Sequence, residues 1–238
     1  MRMKTLQLKK RRISTIIVAL IAVAICLFMN PNSYEEILTR ADDTETEEPF
    51  SSGLLATEVL EKLEVKGRAP KKGYSREEFY DGWPLVDGCS LRQRILKREL
   101  GETAVLDGCN VVAGEFDEPY TGEHVVLNNK SDVAKIQIDH VVALSDAWQK
   151  GAQYKDYETR NKIATDPLNL LAVDGPANEQ KSDGDAATWL PKNKRFRCQY
   201  VARQVSVKYK YSLWVTEAEK EAIIRVLENC PNEAAVGV

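Results

Sequence analysis

Two residues that can carry out acid–base and metal chemistry lie side by side in the segment IQIDHVVALSDAW, 136–148. Asp139 and His140 interrupt a run of isoleucines and valines that is typical of a buried strand. A carboxylate and an imidazole cost free energy when they are buried without partners. An isolated pair of this kind is more often a buried hydrogen-bonded couple than a catalytic pair. The choice between these two interpretations therefore depends on the other residues of the motif.

Further polar residues follow the pair in an order that favours a catalytic site. In DPLNLLAVDGPANEQKSD, 166–183, Asn169 precedes a short apolar strand, and a tight turn then leads to a helix that begins near Pro176. This helix carries Asn178 and Lys181, which share one helical face because they are three residues apart. The sequence therefore predicts two strands and a helix that bring an acid, an imidazole, two amides and an ammonium group together.

These residues and their order resemble the HNH endonucleases of the ββα-metal superfamily, especially secreted members related to the nuclease domain of GmrSD-type restriction enzymes. The motifs that carry the resemblance are IDHVVALSDAW, DPLNLLAVDGPANEQKSD and DAATWLP, with GRAPKKGYSREEF, GCSLRQRILKREL and DEPYTGE upstream. The resemblance covers residues 65–215. It implies an α+β fold with a ββα-metal core at about 136–184, embedded in a mostly helical, disulfide-bonded exported domain at 57–238.

The resemblance also implies roles in the hydrolysis of a phosphodiester bond. His140 would be the general base, since a neutral imidazole can take a proton near pH 7. Asp139 and Asn178 would bind a divalent metal through oxygen, which suits Mg²⁺ or Mn²⁺ better than zinc. Asn169 would orient the imidazole or tie the two strands together.

The match to the family pattern has two departures and one geometric difficulty. Asn178 stands where many HNH proteins have histidine, and Ser182 stands where glycine is expected. We expect neither to disable the site. Adjacent residues of a regular strand point to opposite faces. Asp139 and His140 can therefore serve one phosphate only if the strand twists or bulges, or if its end wraps around the helix.

Basic residues give a second indication of a polyanionic substrate. The resemblance places Lys181, and less directly Arg160, against a phosphate. The stretch 191–214 contains no acid, and its basic residues are interleaved with aromatic residues that can stack on unpaired bases. The alternative is a solvated basic face. The nucleic-acid contacts predicted here are Lys192, Lys194, Arg195, Arg197 and Arg203, with Lys208 and Lys210 as further basic residues.

The N-terminus predicts export. A cluster of Lys and Arg precedes an apolar run at 13–29. We expect 1–29 to be an uncleaved signal anchor, with a cleaved signal peptide as the alternative, because no small-residue cleavage site follows. Residues 30–56 are acidic and rich in Thr, Ser and Pro, which predicts a flexible tether. The expected location is extracellular or at the cell surface, with membrane contact through the N-terminal segment.

Cysteine usage agrees with export. Four cysteines lie outside the apolar run, and an even number in an exported domain suggests two disulfides. The sequence leaves three pairings open, of which we expect the nearest neighbours, Cys89–Cys109 and Cys198–Cys230. A structural zinc site is disfavoured, because the chain has no C-x-x-C and its only other histidine is His124, which we interpret as a surface residue.

Periodicity and turn chemistry predict a mixture of helices and short strands. Helical spacing and capping residues favour helices in 57–65, 75–83, 90–100 and 216–230, with capping boxes at Ser75–Glu78 and Thr216–Glu219. Strands are predicted in 107–114, 135–144 and 169–173. No Gly-rich nucleotide-binding motif is present. The pattern is α+β, without the strand–helix alternation of a nucleotide-binding fold.

The sequence as a whole predicts an exported, metal-dependent endonuclease that hydrolyses DNA, with RNA as a second candidate. No recognition module is visible, so we expect low sequence specificity. We also expect a monomer without a small-molecule cofactor. The alternative is a surface nucleic-acid-binding module that keeps the fold without turnover. The presence of Asp139, His140 and Asn178 together favours the enzyme.

Overall fold

The computed structural model of the protein describes residues 53–237. Within this range the helices are α1 (Ala56–Glu61), α2 (Leu91–Leu100), α3 (Lys130–Lys135), α4 (Leu144–Gln149), α5 (Tyr157–Thr165), α6 (Gly175–Lys181), α7 (Arg197–Lys210) and α8 (Glu217–Leu227). The strands are β1 (Leu85–Val86), β2 (Cys89–Ser90), β3 (Val105–Asp107), β4 (Asn110–Asp117), β5 (His124–Leu127), β6 (Ile136–His140) and β7 (Leu170–Asp174). The fold is a mixture of helix and sheet, as predicted.

The strands of the described residues form three small antiparallel sheets, β1–β2, β3–β4–β5 and β6–β7. In the last of these, Ile136 lies opposite Asp174 and His140 opposite Leu170, and the register between them is regular. Helix α6 follows β7 directly and packs against both strands. A two-stranded ladder followed by a helix thus carries the predicted site residues.

Residues 170–173 of β7 are apolar, and both faces of the strand are buried there. Leu171 and Val173 face a core cluster that also contains Tyr200 of α7. Leu170 and Ala172, on the alternate positions, join a second cluster with α2 and β4. The ladder is therefore held between two cores, which fixes its position in the molecule.

The predicted helices and strands are found close to their expected positions, with one exception. The segment after Ser75 forms only a short 3₁₀ helix, Arg76–Glu78, and the Ser75 side chain makes no capping hydrogen bond. The Glu78 carboxylate lies 2.9 Å from the Arg160 guanidinium instead. The capping box predicted at Ser75 is wrong, because Glu78 has a distant partner. Thr216 caps α8 as predicted and accepts the Glu219 N–H at 3.2 Å. The capping box predicted there is incomplete, because the Glu219 carboxylate pairs with Lys150 and Lys208 instead.

Two disulfides link the cysteines as expected, Cys89 with Cys109 and Cys198 with Cys230. The first ties β2 to the turn between β3 and β4. The second joins the first turn of α7 to the chain just after α8. Both paired positions are consistent with an oxidising environment.

The N-terminal boundary differs slightly from the expected one. The expected signal anchor, 1–29, lies outside the described residues, as does most of the expected tether, 30–56. The last residues of that range belong to the fold, since Leu55 forms a bridge with Ala234 and Ala56 begins α1 fully buried. Among residues 53–237, no helix has both the length and the apolar character needed to cross a membrane.

A buried ion network fastens the helices behind the ladder. The Lys150 ammonium lies 2.7 Å from Asp146, 2.7 Å from Asp185 and 2.6 Å from Glu219. The Lys208 ammonium contacts Glu219 at 2.5 Å and Asp146 at 3.2 Å. The partly exposed guanidinium of Arg68 completes the set by pairing with Asp146 and Asp185. Lys208 was predicted to neutralise phosphates, but it is fully buried and its charge is used inside the protein.

We expect the disulfide at the C-terminus to be a large contributor to stability. Replacing both Cys198 and Cys230 by Ser removes a cross-link between positions 32 residues apart. Loss of the chain-entropy constraint should lower the free energy of unfolding by about 3–4 kcal/mol, measured by urea denaturation. The Cys89→Ser/Cys109→Ser pair, which opens a shorter loop, serves as the comparison. An unchanged urea midpoint would contradict the expectation.

Because of the ion network, the free energy of unfolding should decrease at low pH. Burial alone would raise the pKa of Asp185, but the charges of Lys150 and Arg68 outweigh it and lower the pKa from 3.8 to about 2. The resulting stabilisation, about 2 kcal/mol, is present above pH 3.8 and is lost as the pH falls through 2. The variant Asp185→Asn should therefore be less stable than the parent at pH 7 by about this amount.

The difference between Asp185→Asn and the parent should shrink as the pH falls from 5 to 2, since the carboxylate is protonated first in the unfolded chain, near pH 3.8, and then in the folded protein, near pH 2. Urea denaturation across this range measures it. Asp117→Asn, at a carboxylate that is 88% exposed, is the control. A difference that stays constant with pH would show that the charge of Asp185 is not what stabilises the fold.

Candidate active site

A pocket of about 490 Å³ opens at the end of β6. Three of the predicted site residues, Asp139, His140 and Asn178, lie in its wall. The opposite wall comes from the segment that precedes β1, and α6 with the residues after it supplies carboxylates. The other charged or polar lining residues include Lys71, Tyr74, Arg76, Gln137, Glu179 and Asp183.

The His140 imidazole is buried and has a defined tautomer. Its Nε2 lies 2.9 Å from the carbonyl oxygen of Ala164. A carbonyl can only accept, so Nε2 carries the hydrogen and, in the neutral ring, Nδ1 is an acceptor. Burial lowers the pKa of His140 to about 3, and the charges of Arg76 and Lys181 act in the same direction against the Ala164 hydrogen bond. The imidazole is thus neutral at pH 7.

Aromatic rings fix the plane of the imidazole. The Trp83 ring lies nearly parallel to it, with centroids 5.9 Å apart and an angle of 11°. Tyr80 meets it edge-on at 5.8 Å. Two rings at an angle to each other leave His140 little freedom to rotate.

The fully buried amide of Asn169 ties together the two chain segments that hold His140. Its oxygen accepts the Val142 N–H at 2.8 Å, just beyond the end of β6. Its nitrogen donates to the Ile163 carbonyl at 3.0 Å, next to the Ala164 carbonyl that holds the imidazole. Of the two roles expected for Asn169, the geometry favours a tie between segments, which also positions His140 indirectly.

The Asp139 carboxylate has a buried partner on each oxygen. Oδ2 accepts a hydrogen bond from the Tyr120 hydroxyl, and Oδ1 lies 2.9 Å from the Lys181 ammonium. Lys181 also donates to the His140 carbonyl at 2.8 Å. Burial raises the pKa of Asp139, and the lowering by Lys181 and Tyr120 only partly offsets this. Asp139 is therefore held in one orientation by both neighbours.

Tyr120 reaches Asp139 because a buried glutamate shapes the DEPYTGE turn. The Glu118 carboxylate accepts the N–H groups of Tyr120 and Asp174 at 3.0 Å and 3.1 Å, and it also accepts the N–H and the hydroxyl of Thr121. The turn is thereby fastened to the end of β7. This gives the DEPYTGE motif a structural role beside the site.

The donors in the pocket fit a hard divalent cation. The Asn178 nitrogen donates to Gln137 at 2.8 Å, and within the described residues the Asn178 amide oxygen has no hydrogen-bond partner. This oxygen and the Asp139 carboxylate are donors of the kind that Mg²⁺ and Mn²⁺ prefer. Elsewhere in residues 53–237, a compact group of three possible metal ligands contains Cys198, Cys230 and Glu233. Its two cysteines are disulfide-bonded and cannot act as thiolate ligands.

Asp139 and His140, which are adjacent on β6, border the same pocket although the strand has no bulge. Asp139 turns toward Tyr120 and Lys181, while His140 turns toward Tyr80 and Trp83, as expected for successive residues on a regular strand. Both nevertheless border the pocket, because the strand ends there. The expected distortion is unnecessary.

Lys181 and Arg160 lie in places that differ from the expected phosphate contacts. Lys181 is 2% exposed and its ammonium is occupied by Asp139 and the His140 carbonyl. The Arg160 guanidinium donates to the Glu78 carbonyl and carboxylate and to the Lys155 carbonyl. Both cations hold the protein around the site.

The basic stretch divides into two parts. Four of its predicted contacts, Lys192, Lys194, Arg195 and Arg203, line a second concavity of about 1350 Å³, which has no lining residue in common with the His140 pocket among the described residues. The Arg197 guanidinium donates to the Pro191 carbonyl at 2.7 Å. Lys210 pairs with Asp166 at 2.7 Å.

His124, the first residue of β5, is exposed and lies beside Asp117 of β4. This agrees with its interpretation as a surface residue.

The sequence reasoning missed Arg76, Trp83 and Tyr120 as site residues. Their motifs, YSREEFYDGW and DEPYTGE, were visible, but nothing in their spacing connected them to residues 19–64 positions away. The available signal was that GRAPKKGYSREEF and DEPYTGE, which contain Arg76 and Tyr120, are among the motifs that carry the family resemblance. The positive charge of Arg76 was hidden in a segment predicted as an ordinary helix start.

Comparison with known proteins indicates a nuclease-related class. Residues 93–226 match the family described as GmrSD restriction endonucleases, C-terminal domain. The chain belongs to this family. It is also 36% identical over 183 residues to an uncharacterized secreted protein of the fungus Arthroderma benhamiae, covering 75% of this chain and 86% of that protein. No solved structure gives a significant match.

We expect Asn169→Ala to destabilise the protein through the site it ties together. The change leaves the buried Val142 N–H and the Ile163 carbonyl without their side-chain partner. The free energy of unfolding should fall by about 3 kcal/mol, measured by urea denaturation. Asn229→Ala, at an exposed amide that bonds to the Arg225 carbonyl, is the control and should change little. Equal effects of the two substitutions would refute the assigned role.

Proposed function

We propose that the protein is a metal-dependent endonuclease that hydrolyses phosphodiester bonds of DNA, with RNA as a second substrate. The β6–β7–α6 unit would be the ββα-metal core of an HNH nuclease. The observation that carries the proposal is the His140 imidazole, whose Nε2–H is held by the Ala164 carbonyl so that Nδ1 is an acceptor, in a ring that borders the same pocket as Asp139 and Asn178. Membership of a restriction-endonuclease family supports the same reaction class.

His140 would act as the general base. Its Nδ1 takes a proton from a water molecule as the water oxygen forms a bond to phosphorus. The bond from phosphorus to the leaving sugar oxygen breaks, and that oxygen takes a proton from solvent. The stacked Trp83 and the amide of Asn169 keep the imidazole in the orientation that this transfer needs. The low pKa of His140 keeps the base unprotonated before substrate binds.

Asp139 and the Asn178 oxygen would hold the divalent cation, with Mg²⁺ or Mn²⁺ as the expected ions. When bound, such a cation supplies positive charge to the phosphate and to the leaving oxygen. Tyr120 and Lys181 hold the carboxylate in place, and Gln137 orients the Asn178 amide. We assign Lys181 to this positioning role in place of a phosphate contact.

Low sequence specificity remains our expectation. The concavity lined by Lys192, Lys194, Arg195 and Arg203 would hold the nucleic-acid backbone at a distance from the cleaved bond. Contacts to backbone phosphates carry no sequence information. Arg197 would assist only from the edge, because its guanidinium is bound to the Pro191 carbonyl.

We infer that the protein acts outside the reducing cytoplasm. Its two disulfides are typical of exported proteins, and the Arthroderma benhamiae protein is described as secreted. The basic and apolar N-terminal residues would direct export and act as a membrane anchor.

The activity is tested with the full-length chain and supercoiled plasmid. We expect nicking with Mg²⁺ or Mn²⁺, loss with a chelator, and recovery when the metal is restored. His140→Ala should lower the rate roughly 100-fold or more, since general-base catalysis contributes on this scale. Asn178→Ala should raise the Mn²⁺ concentration needed for activity and weaken Mn²⁺ binding in calorimetry.

Arg225→Ala, at an exposed residue of α8 that lines neither the His140 pocket nor the basic concavity, is the matched control and should cleave like the parent. Circular dichroism checks that each variant is folded. If the plasmid stays supercoiled with every metal, the proposal that the protein is an enzyme is wrong. If the same protein still bound DNA, the binding module without turnover would become the better account.

A further inference from the structure

The cationic side chains around the His140 pocket differ in whether a carboxylate of the protein is paired with them. The Lys71 ammonium lies 2.9 Å from Asp183, which also accepts from Ser145. Lys181 is bound to Asp139 behind the pocket. Arg76, in contrast, is exposed in the pocket wall, and within residues 53–237 its guanidinium pairs with no carboxylate. The pocket therefore contains one accessible cation whose charge is not neutralised by the described part of the chain.

The Arg76 guanidinium is nevertheless held in place. Its Nη1 donates to the Tyr80 hydroxyl at 3.1 Å, and its central carbon lies 5.8 Å from the centroid of the Tyr80 ring. A cation over an aromatic face is attracted by the negative charge of the ring face. Tyr80 itself is 4% exposed, so it provides a fixed support. The atoms Nε and Nη2 stay available to a ligand.

The same tyrosine supports the proposed base. The Tyr80 ring meets the His140 ring edge-on at 5.8 Å and also contacts the Arg76 guanidinium. The positive charge of Arg76 also contributes to the lowered pKa of His140, which agrees with their proximity. One buried ring thus sets the distance between a guanidinium and an imidazole.

The segment that carries Arg76 is anchored from a distant part of the chain. Arg160 of α5 donates to the Glu78 carbonyl at 2.7 Å and pairs with the Glu78 carboxylate at 2.9 Å. Asn161 donates to the Phe79 carbonyl at 3.1 Å. Helix α5 also provides the Ala164 carbonyl that holds His140. The guanidinium and the imidazole therefore rest on one helix.

We propose that Arg76 binds the non-bridging oxygens of the scissile phosphate and stabilises the charge that develops on them during hydrolysis. This assignment rests on the function proposed above and identifies a residue outside the β6–β7–α6 unit as part of its substrate site. A planar guanidinium suits a phosphate because two parallel N–H groups can bind two oxygens. Tyr80 is the positioning residue that turns this edge toward the pocket.

The catalytic test compares Arg76→Ala, Arg76→Lys and the control Arg225→Ala in the full-length chain. We expect Arg76→Ala to lower kcat/KM for plasmid nicking roughly 100-fold, as for the loss of one donor to developing negative charge. Arg76→Lys should recover only part of the loss, because an ammonium group cannot make the bidentate contact. Arg225→Ala should match the parent.

A binding measurement separates this assignment from the nuclease proposal. The His140→Gln protein and its Arg76→Ala and Arg225→Ala derivatives are titrated with a fluorescein-labelled 12-nucleotide DNA strand, followed by anisotropy over a range of salt. Adding Arg76→Ala should weaken binding about tenfold and reduce the slope of log K against log salt by about one. Adding Arg225→Ala should change neither quantity.

The outcomes distinguish the two proposals. An Arg76→Ala protein that cleaves and binds like Arg225→Ala would overturn the role of Arg76 and leave the nuclease proposal standing. A parent protein that cleaves nothing would overturn the nuclease proposal, and the anisotropy measurement alone would then decide whether Arg76 binds phosphate.

Discussion

The contact of Lys150 with three buried carboxylates is the constraint around which the helices are arranged. A fully buried ammonium group is tolerated only when partners surround it, because transfer of a charge out of water costs several kcal/mol. Its partners Asp146, Asp185 and Glu219 come from α4, from the chain after α6 and from α8. Removal of any one would leave an opposite charge without compensation. These segments must therefore assemble together.

The network determines where the pocket can form. Asp146 lies six residues after His140, and Asp185 lies four residues after Lys181. The β6–β7–α6 unit is thus fastened to the helical part of the protein on both sides. A short two-stranded ladder is only marginally stable alone. Here the ladder is held by two hydrophobic cores and an ion network, which keep the His140 imidazole and the Asp139 carboxylate in fixed positions.

The local parts of the fold and site were predictable from the sequence. Apolar runs and turn residues identified β6, β7 and α6, since strand and helix periodicity depends on near neighbours. The nearest-neighbour pairing of the cysteines was also confirmed. Asp139, His140 and Asn178 border one pocket, because the first two lie at the end of β6 and the third lies on the helix that packs against it, and their catalytic and metal-binding roles stay predictions.

The partners of charged residues were not predictable in the same way. Lys208 looked like part of a basic surface, yet its partner Asp146 is 62 residues away. Lys181 and Arg160 were expected at a phosphate, but both have partners within the protein. The sign of a charge is visible in the sequence, whereas its burial depends on which distant segments pack over it. For the same reason Arg76, whose neighbours leave it unneutralised, did not stand out.

The disulfide between Cys198 and Cys230 links the stability of helix α8 to the oxidation state of the protein. It closes on the chain just after α8, the helix that supplies Glu219 to the ion network, so the helix is fully secured only after oxidation. Inside a reducing cytoplasm, the newly made chain would hold its terminal helix by packing alone. A protein built this way is most stable where its cysteines are oxidised.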